Sequence, residues 1–417
     1  MLRVLVVLPL YGGSLPVGRY AANGLREAGC LVEVFEAPAF YSAFTALEDL
    51  RVGAERYEAL QNTFLQALSQ AVLSKAAAFA PDLVLCLAQA PVSPLALKRL
   101  RAEKVPTAMW FVEDYRLFPY WRAFAPLYDL FAVIQKEPFF EQLSAIGVDR
   151  VLYLPLAADP SLHRPLRLSA REKKEFGSTF SFMGAGYPNR RRAFREFVGQ
   201  DFKIWGTEWE EEPLLAPMIQ RKGARISPED TVRIYNAGAI NLNLHSSMLA
   251  EESAGQGDFV NPRTFELAAC QAFQLVDRRS LMAELFSPDE LACFDSLPEL
   301  LAAAAHYKDR PDERRKMAAR ARKRVLAEHT YAKRMSALLA FAAERLPGFG
   351  QRAPVAWPEN MPEETRKAVA GLLEELALPA DAAFDDLTAA LRARNSPLSE
   401  VETALLFLEE WKKLYLG

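Results

Sequence analysis

The sequence has few of the residues that build disulfide frameworks and metal sites. Its 417 residues include only four cysteines and four histidines. The cysteines lie far apart in apolar surroundings without disulfide or metal-site spacing, so we expect reduced core thiols in a cytoplasmic protein. The histidines show no ligand spacing with one another, so we expect no metal site. These residues are Cys30, Cys86, Cys270 and Cys293, and His163, His245, His306 and His329.

Long apolar runs and a surplus of one charge are also missing. No run approaches the roughly 18 to 20 apolar residues of a membrane-spanning helix, so we predict no transmembrane segment, while peripheral membrane contact stays open. The start, with Val4–Leu10 after Arg3, imitates a signal peptide. It lacks a small-residue cleavage site and continues into Tyr-Gly-Gly, which favours a buried first strand. The net charge of −3 gives no bulk electrostatic reason to bind nucleic acid.

The length and the pattern of apolar residues are typical of an α/β protein with two domains. A chain of 417 residues is too long for one core. Short apolar strands such as Val4–Leu8 alternate with helices over residues 1–165, which predicts a doubly wound α/β domain. After a proline-punctuated linker, the strand Thr179–Met183 begins a second α/β domain, predicted to span residues 166–346.

The C-terminal residues predict a helical extension. A proline- and glycine-rich break near residue 347 precedes three amphipathic segments with apolar positions three and four residues apart. Residues 347–417 therefore form a predicted α-helical extension without recognisable chemistry. Packing against the body is favoured, while oligomerisation and partner binding stay open, and the sequence leaves the oligomeric state undecided.

Two places in the first domain are candidate ligand sites, because ligands of such sheets bind at the carboxyl ends of strands. Gly12 and Gly13 follow the first strand and form a predicted acceptor or phosphate loop, with a simple tight turn as the alternative. Glu113 and Asp114 leave another buried strand beside Arg116. We chose Asp114 as the candidate catalytic base or acceptor contact. The alternative is a surface ion pair between one of these acids and Arg116.

The second domain repeats glycines and cations after a strand. Gly184 and Gly186 follow Thr179–Met183 and precede Arg190, which we selected from three consecutive arginines because it lies nearest the glycine turn. Arginine binds phosphate oxygens bidentately, so Arg190 is a candidate diphosphate ligand. His245 ends another strand at the same predicted edge, where it either contacts the donor or makes a structural hydrogen bond.

The most informative segment runs from Asp258 to Glu266 as a polar loop followed by a helix start. A carboxylate at the front of such a helix can bind a sugar diol. The preceding loop is expected to leave backbone N–H groups free at the helix N-terminus, where they favour an anion such as a diphosphate. Loop, acid and helix in this order are typical of a nucleotide-sugar donor site, with Asn261, Arg263 and Thr264 as further members.

Several segments resemble the spore-maturation CgeB family, whose members are glycosyltransferase-like. They are Tyr235-Asn-Ala-Gly-Ala-Ile-Asn-Leu-Asn-Leu-His245, Asn261-Pro-Arg-Thr-Phe-Glu266, Glu328-His-Thr-Tyr-Ala-Lys-Arg334, Met183-Gly-Ala-Gly-Tyr-Pro-Asn-Arg190 and Ala108-Met-Trp-Phe-Val-Glu-Asp114. The resemblance covers roughly residues 1–345. It implies a GT-B architecture, in which two Rossmann-like domains face across a cleft and the donor nucleotide binds mainly to the C-terminal domain.

The resemblance also implies roles for individual residues. Related transferases carry a Glu-x7-Glu motif, in which the second acid binds the ribose and the first lies near the donor sugar. Glu266 occupies the second position and Asp258 the first, where aspartate is shorter than the usual glutamate. Gln271 replaces a glycine that usually follows, which we expect to affect approach of the phosphates. Arg190 and Arg263 are the implied diphosphate contacts.

The leading hypothesis is a metal-independent glycosyltransferase that needs no cofactor besides its donor, a nucleoside-diphosphate sugar. Its acceptor would be a surface polysaccharide, a glycoprotein or a lipid-linked sugar. Two alternatives stay open: a nucleotide-sugar epimerase, and a non-catalytic binding scaffold of the same fold, which the departures at Asp258 and Gln271 would favour.

Overall fold

The computed structural model describes residues 1–249, 257–351, 361–394 and 396–416. The contacts divide the chain into two compact units. Unit 1 comprises Met1–Ala132, Glu141–Leu152 and Met335–Gly417, and unit 2 comprises Val133–Phe140 and Tyr153–Arg334. This division differs from the predicted domains, because the residues predicted as a separate extension group with the N-terminal residues.

The first sheet has six strands in the order β2-β1-β3-β4-β5-β6. The strands are β1 (Arg3–Val7), β2 (Leu31–Phe35), β3 (Leu83–Leu87), β4 (Thr107–Phe111), β5 (Leu130–Val133) and β6 (Val151–Tyr153). The helices along this part of the chain are α1 (Ser14–Glu27), α2 (Tyr41–Thr45), α3 (Ala54–Phe79), α4 (Pro94–Ala102), α5 (Trp121–Phe124) and α6 (Phe139–Ser144). β1 pairs in parallel with both β2 and β3, so the strand order reverses between β1 and β3.

The central strands of this sheet form because continuous aliphatic runs can be buried on both faces of a parallel sheet. Every residue of β1 and β3 is buried. The turns at the carboxyl ends of β1 and β3 flank the reversal of strand order, the point where ligands of open α/β sheets bind.

The second sheet has five strands in the order β11-β10-β9-β7-β8. They are β7 (Ser178–Met183), β8 (Phe202–Trp205), β9 (Gly238–Asn243), β10 (Gln274–Asp277) and β11 (Ala292–Phe294). The helices of this part are α7 (Ala170–Phe176), α8 (Pro188–Phe194), α9 (Pro228–Ala237), α10 (Pro262–Ala269), α11 (Leu297–Lys308) and α12 (Pro311–Glu328). β7 pairs in parallel with β8 and β9, so the strand order reverses between β7 and β9.

The core of unit 2 is rich in aromatic side chains. Phe182 on β7 packs edge-on against Trp209, with ring centroids 5.7 Å apart, and Phe194 on α8 stacks on the same tryptophan at 5.9 Å. Phe182, Phe194 and Trp209 are each at most 1% exposed. This packing fixes α8 against the carboxyl end of β7 and so positions the residues that follow that strand.

The last helices within the described residues are α13 (Tyr331–Arg345), α14 (Glu363–Glu375), α15 (Phe384–Ala393) and α16 (Glu400–Leu416). The last three share an apolar cluster that includes Leu373, Leu387 and Leu405. Within unit 1, Arg3 of β1 bonds Asp386 of α15, with Nη2 and Oδ1 3.2 Å apart. No helix in the described part of the chain is long and apolar enough to span a membrane. The two parallel sheets and the C-terminal helices confirm the predicted α/β fold class.

Candidate functional site

Arg190 lies at the point of unit 2 where the strand order reverses. Its Nε donates to the carbonyl of Leu244, which follows β9, at 2.9 Å. Its Nη1 donates to the carbonyl of Ala185, which follows β7, at 3.0 Å. The guanidinium therefore bridges the carboxyl ends of β7 and β9, and the predicted glycine loop and strand edge come together there.

Arg263 lies beside Arg190 on the same aromatic ring. The two guanidinium carbons are 5.1 Å and 5.2 Å from the centroid of Phe182. Nη1 of Arg263 also donates to Oδ1 of Asn243 at 3.1 Å. A Cβ at Gly184 would lie 2.6 Å from Nη2 of Arg263, so a side chain there would force the guanidinium to shift. The glycine thus makes room for the cation.

These arginines give the site an excess of positive charge. Arg190 is 5% exposed, and its bonds run to carbonyl oxygens. Burial lowers the pKa of Arg190 to about 9, and the nearby charge of Arg263 acts in the same direction. Arg279 and the carboxylate of Asp277 also lie close enough to affect this pKa. Three guanidinium groups thus accompany one carboxylate among the described residues, which favours an anion with more than one charge.

Gly186 and Trp209 have structural roles in the same loop. A Cβ on Gly186 would collide with the backbone carbonyl of Glu208, so close packing of two backbone segments requires glycine there. Trp209 is 1% exposed and donates from Nε1 to the carbonyl of Gly184 at 3.1 Å. Gly186 and Trp209 hold the loop in place from within the core.

His245 joins the ends of two strands to the start of α10. Its ring Nδ1 lies 2.6 Å from Oδ1 of Asp277, and its Nε2 accepts the backbone N–H of Asn261 at 2.8 Å. Because Nε2 accepts, the proton sits on Nδ1 and the ring is neutral. Burial lowers the pKa of His245 to about 4, against the opposing effect of Asp277. His245 therefore makes structural hydrogen bonds, which the sequence offered as the alternative to a donor contact.

Asp277 was not selected from the sequence, although it lies at the centre of this arrangement. It is fully buried, accepts the backbone N–H of His245 at 2.9 Å and bonds Nη2 of Arg279 at 2.5 Å. Burial alone would raise its pKa, but His245 and Arg279 outweigh that effect and hold the pKa at about 2. The only sequence signal was an acid at the end of a buried strand.

The N-terminus of α10 is capped by its own side chains, which corrects the expectation of several free amides. Asn261 accepts the N–H of Thr264 on its Oδ1 at 3.0 Å. The N–H of Asn261 is bound by His245, and Pro262 has no N–H to offer. Asn243 ties the cap to β9, accepting from Asn261 at 2.9 Å and donating to Thr264 at 2.9 Å. An anion at this edge would therefore contact chiefly the arginines.

Glu266 lies one helical turn beyond Arg263, so both side chains project from one face of α10. Its Oε2 accepts the hydroxyl of Tyr235 at 3.0 Å. Its Oε1 lies 3.9 Å from Nε2 of His163. Nδ1 of His163 accepts the N–H of Asp159 at 3.1 Å, so Nε2 carries the proton that faces Glu266. The Glu266 side chain is 14% exposed, which leaves it accessible to a ligand.

Asp258 is held at the loop before α10. Its Oδ1 accepts from the amide of Gln135 at 2.9 Å and from the backbone N–H of Phe259 at 2.9 Å. Gln135 is fully buried and follows β5 in the chain. These bonds fix the orientation of the Asp258 carboxylate, whose predicted contact with the donor sugar stays a prediction.

Gln271 lies at the opposite end of α10 from the arginines, which corrects its expected effect on phosphate approach. Its φ is +55°, a left-handed conformation that favours glycine. The N–H of Ala272 bonds the carbonyl of Leu267, and that of Gln271 bonds the carbonyl of Ala268, both at 2.9 Å. This hydrogen-bond pattern ends α10. The glycine that Gln271 replaces would therefore act at the end of the helix and not in phosphate binding.

In unit 1, the turn after β1 contains Gly12 and Gly13. Gly12 has a φ of +100°, which requires the conformational freedom of glycine. A Cβ at Gly12 or Gly13 would have no atom within 4 Å, so the loop is open on that side. Its predicted role in acceptor or phosphate binding stays a prediction.

Asp114 forms the ion pair that the sequence offered as the alternative to catalysis. Its Oδ1 accepts the N–H and Nε of Arg116, both at 2.9 Å, and its Oδ2 accepts Nη2 at 2.8 Å. The neighbouring Glu113 has different partners. It accepts from the amide of Gln89 at 2.5 Å and from the hydroxyl of Tyr120 at 2.8 Å.

Comparison with known proteins connects this geometry to a family. A family model described as glycosyl transferase-like matches residues 180–340. The spore protein CgeB of Bacillus subtilis (strain 168) is 27% identical over 276 residues, which is 62% of this chain and 82% of CgeB.

Solved structures share the fold at low sequence identity. Sucrose-phosphate synthase from Thermosynechococcus elongatus superposes with a TM-score of 0.56 at 13% identity, covering 82% of this chain and 99% of the other. Anabaena HepE in complex with UDP and glucose superposes with a TM-score of 0.57 at 11% identity, covering 82% and 100%. Residues 180–340 are thus similar to a glycosyl transferase-like family, most of the chain is similar to CgeB, and the chain shares the fold of sucrose-phosphate synthase and HepE.

Proposed function

We propose that this protein transfers a sugar from a nucleoside-diphosphate sugar to a hydroxyl acceptor without a divalent metal. The observation that carries the proposal is that Arg190 and Arg263 share one aromatic ring while Arg263 lies one helical turn from Glu266 on α10. A nucleoside diphosphate presents an anion next to a ribose diol. The arginine pair complements the charge of the diphosphate, and the accessible carboxylate of Glu266 can accept hydrogen bonds from the ribose diol.

The spacing along α10 supports this pairing of groups. Residues three positions apart on a helix have Cβ atoms about 5 to 6 Å apart. Arg263 would then contact the diphosphate while Glu266 accepts bonds from the ribose hydroxyls. Tyr235, which already donates to Glu266, orients the carboxylate for that role.

The chemistry needs negative charge to be stabilised on the departing diphosphate. Fixed guanidinium groups can supply this stabilisation without reorganisation during the reaction, which is the contribution a divalent ion makes elsewhere. Arg190 is fixed by two carbonyls and by the ring of Phe182, so its charge is preorganised. Asp258, oriented by Gln135, would contact the donor sugar.

Fold similarity suggests which nucleotide base the donor carries. HepE, which shares the fold, was crystallised with UDP and glucose. UDP-sugars are therefore the first donors to test. The Gln271 departure no longer favours a non-catalytic scaffold, because this residue terminates α10 away from the arginines.

The proposal is tested with a panel of UDP-, GDP-, dTDP- and CMP-sugars in EDTA, measuring thermal stabilisation and release of the nucleotide. We expect one diphosphate donor to stabilise the protein and to be hydrolysed slowly. CMP-sugars, which carry one phosphate, serve as the control and should have little effect. A dependence on added Mg2+ or Mn2+, or the absence of any response, would contradict the proposal.

A further inference from the structure

Four buried polar side chains of unit 2 form a hydrogen-bonded network between β9, β10 and the start of α10. They are Asn243 on β9, Gln274 on β10, and Asn261 and Thr264 at the start of α10, and each is at most 8% exposed. Burying polar groups is costly unless their hydrogen bonds are made, and here each side chain has partners within the network. The cap of α10 itself needs only Asn261 and the N–H that it accepts, so the rest of the network requires a further explanation.

Backbone groups of α10 fix the orientation of the two outer amides. Oδ1 of Asn261 accepts the N–H of Thr264 at 3.0 Å, so its Nδ2 faces Asn243. Nε2 of Gln274 donates to the carbonyl of Thr264 at 2.9 Å, so its Oε1 faces Asn243 as well. Because a backbone N–H can only donate and a carbonyl can only accept, reversing either amide would break these bonds.

The two outer amides determine the orientation of Asn243 between them. Its Nδ2 donates to Oε1 of Gln274 at 2.8 Å and to the hydroxyl of Thr264 at 2.9 Å. Its Oδ1 accepts from Nδ2 of Asn261 at 2.9 Å and from Nη1 of Arg263 at 3.1 Å. All four hydrogen-bonding positions of the amide are used, and a reversed amide would turn its N–H groups towards donors. The oxygen of Asn243 is thus directed at Arg263.

Arg263 needs such a partner because it lies beside another cation. Arg190 and Arg263 share the ring of Phe182, and the charge of Arg263 helps to lower the pKa of Arg190. Two carbonyls hold Arg190 in a buried position, whereas the long side chain of Arg263 is only partly buried. Without the oxygen of Asn243, the repulsion between the two cations would favour rotamers that carry the Arg263 guanidinium away from Arg190.

We propose that Asn243 is a positioning residue of the donor site, whose amide oxygen holds the Arg263 guanidinium beside Arg190 for a diphosphate. This inference rests on the proposed function. Asn243 is fully buried and acts through Arg263, while the network around it ties the guanidinium to the backbone of α10. Preorganisation of this kind favours binding, because the two cations are already together when the anion arrives.

The test is a double-mutant cycle on the affinity for a nucleoside diphosphate, measured by calorimetry in EDTA with whichever of UDP, GDP and dTDP binds the wild type most tightly. We expect Asn243→Ala to raise Kd by roughly 5- to 10-fold, since the arginine is kept but is no longer held. In an Arg263→Gln background the same change should raise Kd by less than about 2-fold, because the group on which Asn243 acts is gone. A general loss of structure would instead weaken binding by the same factor in both backgrounds.

Two further variants complete the design. Asn236→Ala is the matched control, because this amide binds backbone groups of Arg164 and Leu166, and its Kd should equal that of wild type. If circular dichroism shows that Asn243→Ala does not fold, Asn243→Ser takes its place in the cycle. Serine keeps a hydroxyl for the buried partners, but its side chain is one bond shorter and does not reach Arg263.

The outcomes separate this inference from the proposed function. If none of the three nucleotides binds the wild type, the proposed donor site fails and this inference falls with it. If a nucleotide binds and Arg263→Gln weakens binding while Asn243→Ala does not, only the role of Asn243 is overturned. Equal effects of Asn243→Ala in the two backgrounds would also overturn it, because Asn243 would then act on the fold and not on Arg263.

Discussion

Arg190 and Arg263 place their guanidinium groups on the ring of one phenylalanine, Phe182, at 5.2 Å and 5.1 Å from its centroid. Two cations this close repel each other, and the pKa of Arg190 is lowered accordingly, chiefly by burial and also by Arg263. Binding of an anion with two or more charges would relieve that repulsion. We therefore propose that this pair of arginines binds a diphosphate.

Replacing Arg263 should weaken donor binding. Arg263→Gln removes one charged hydrogen-bond donor, worth about 1.5 to 3 kcal/mol, which corresponds to roughly a 10- to 150-fold rise in Kd. Arg263→Lys should fall between wild type and Arg263→Gln, because lysine keeps the charge but loses the bidentate geometry. Isothermal titration calorimetry with the nucleoside diphosphate measures both effects.

Arg278→Gln provides the matched control for this prediction, because Arg278 is exposed and pairs with Asp295. Its Kd should equal that of wild type. Equal affinities for wild type and Arg263→Gln would show that Arg263 does not bind the diphosphate.

Gln271→Gly should stabilise the protein. The left-handed conformation at Gln271 favours glycine, and relief of this strain exceeds the extra chain entropy of glycine. We expect the free energy of unfolding to rise by about 0.5 to 1 kcal/mol, with unchanged donor affinity. Urea denaturation measures the first and calorimetry the second. A gain of similar size in Gln271→Ala would contradict this explanation, since alanine does not relieve the strain.

His245 should make the protein sensitive to acid. Burial holds the pKa of His245 at about 4, against 6.5 for an ordinary histidine. Between these values the unfolded chain binds a proton that the folded chain does not. The contribution of neutral His245 to the stability of the folded state is therefore complete above pH 6.5 and is lost as the pH falls towards 4. His329, whose pKa is also lowered to about 4, and His163, whose pKa burial also lowers, act in the same direction.

Thermal unfolding between pH 4 and 7 checks this prediction. His245→Gln removes one of these three groups, so its melting temperature should depend on pH less steeply than that of wild type, without becoming constant. Parallel curves for the two proteins would show that His245 does not titrate between its folded and unfolded states as proposed.

Much of the fold could be predicted from local sequence. The strands predicted at Val4–Leu8 and Thr179–Met183 lie within one residue, at each end, of β1 and β7, because short apolar runs bounded by turns have few alternatives. The shortest elements could not be predicted in this way. β11 was missed because three residues carry no periodicity.

Some residues of the candidate site could be predicted from the sequence and others could not. Arg190 was predicted because it lies nearest the glycine turn, and Arg263 because of the family resemblance; the structure brings both to the ring of Phe182. The partners of His245 could not be predicted, because Asp277 lies 32 residues away and only the sheet joins them. Which of the adjacent acids Glu113 and Asp114 pairs with Arg116 could not be predicted, because adjacent carboxylates offer no local signal for that.

The most direct test compares wild type with Glu266→Ala, using the donor found in the panel and EDTA throughout. The proposal predicts that the donor stabilises the wild type and is slowly hydrolysed by it, and that both effects are lost in a Glu266→Ala protein with an unchanged circular dichroism spectrum. Equal stabilisation of both proteins by the donor would contradict the proposed donor site.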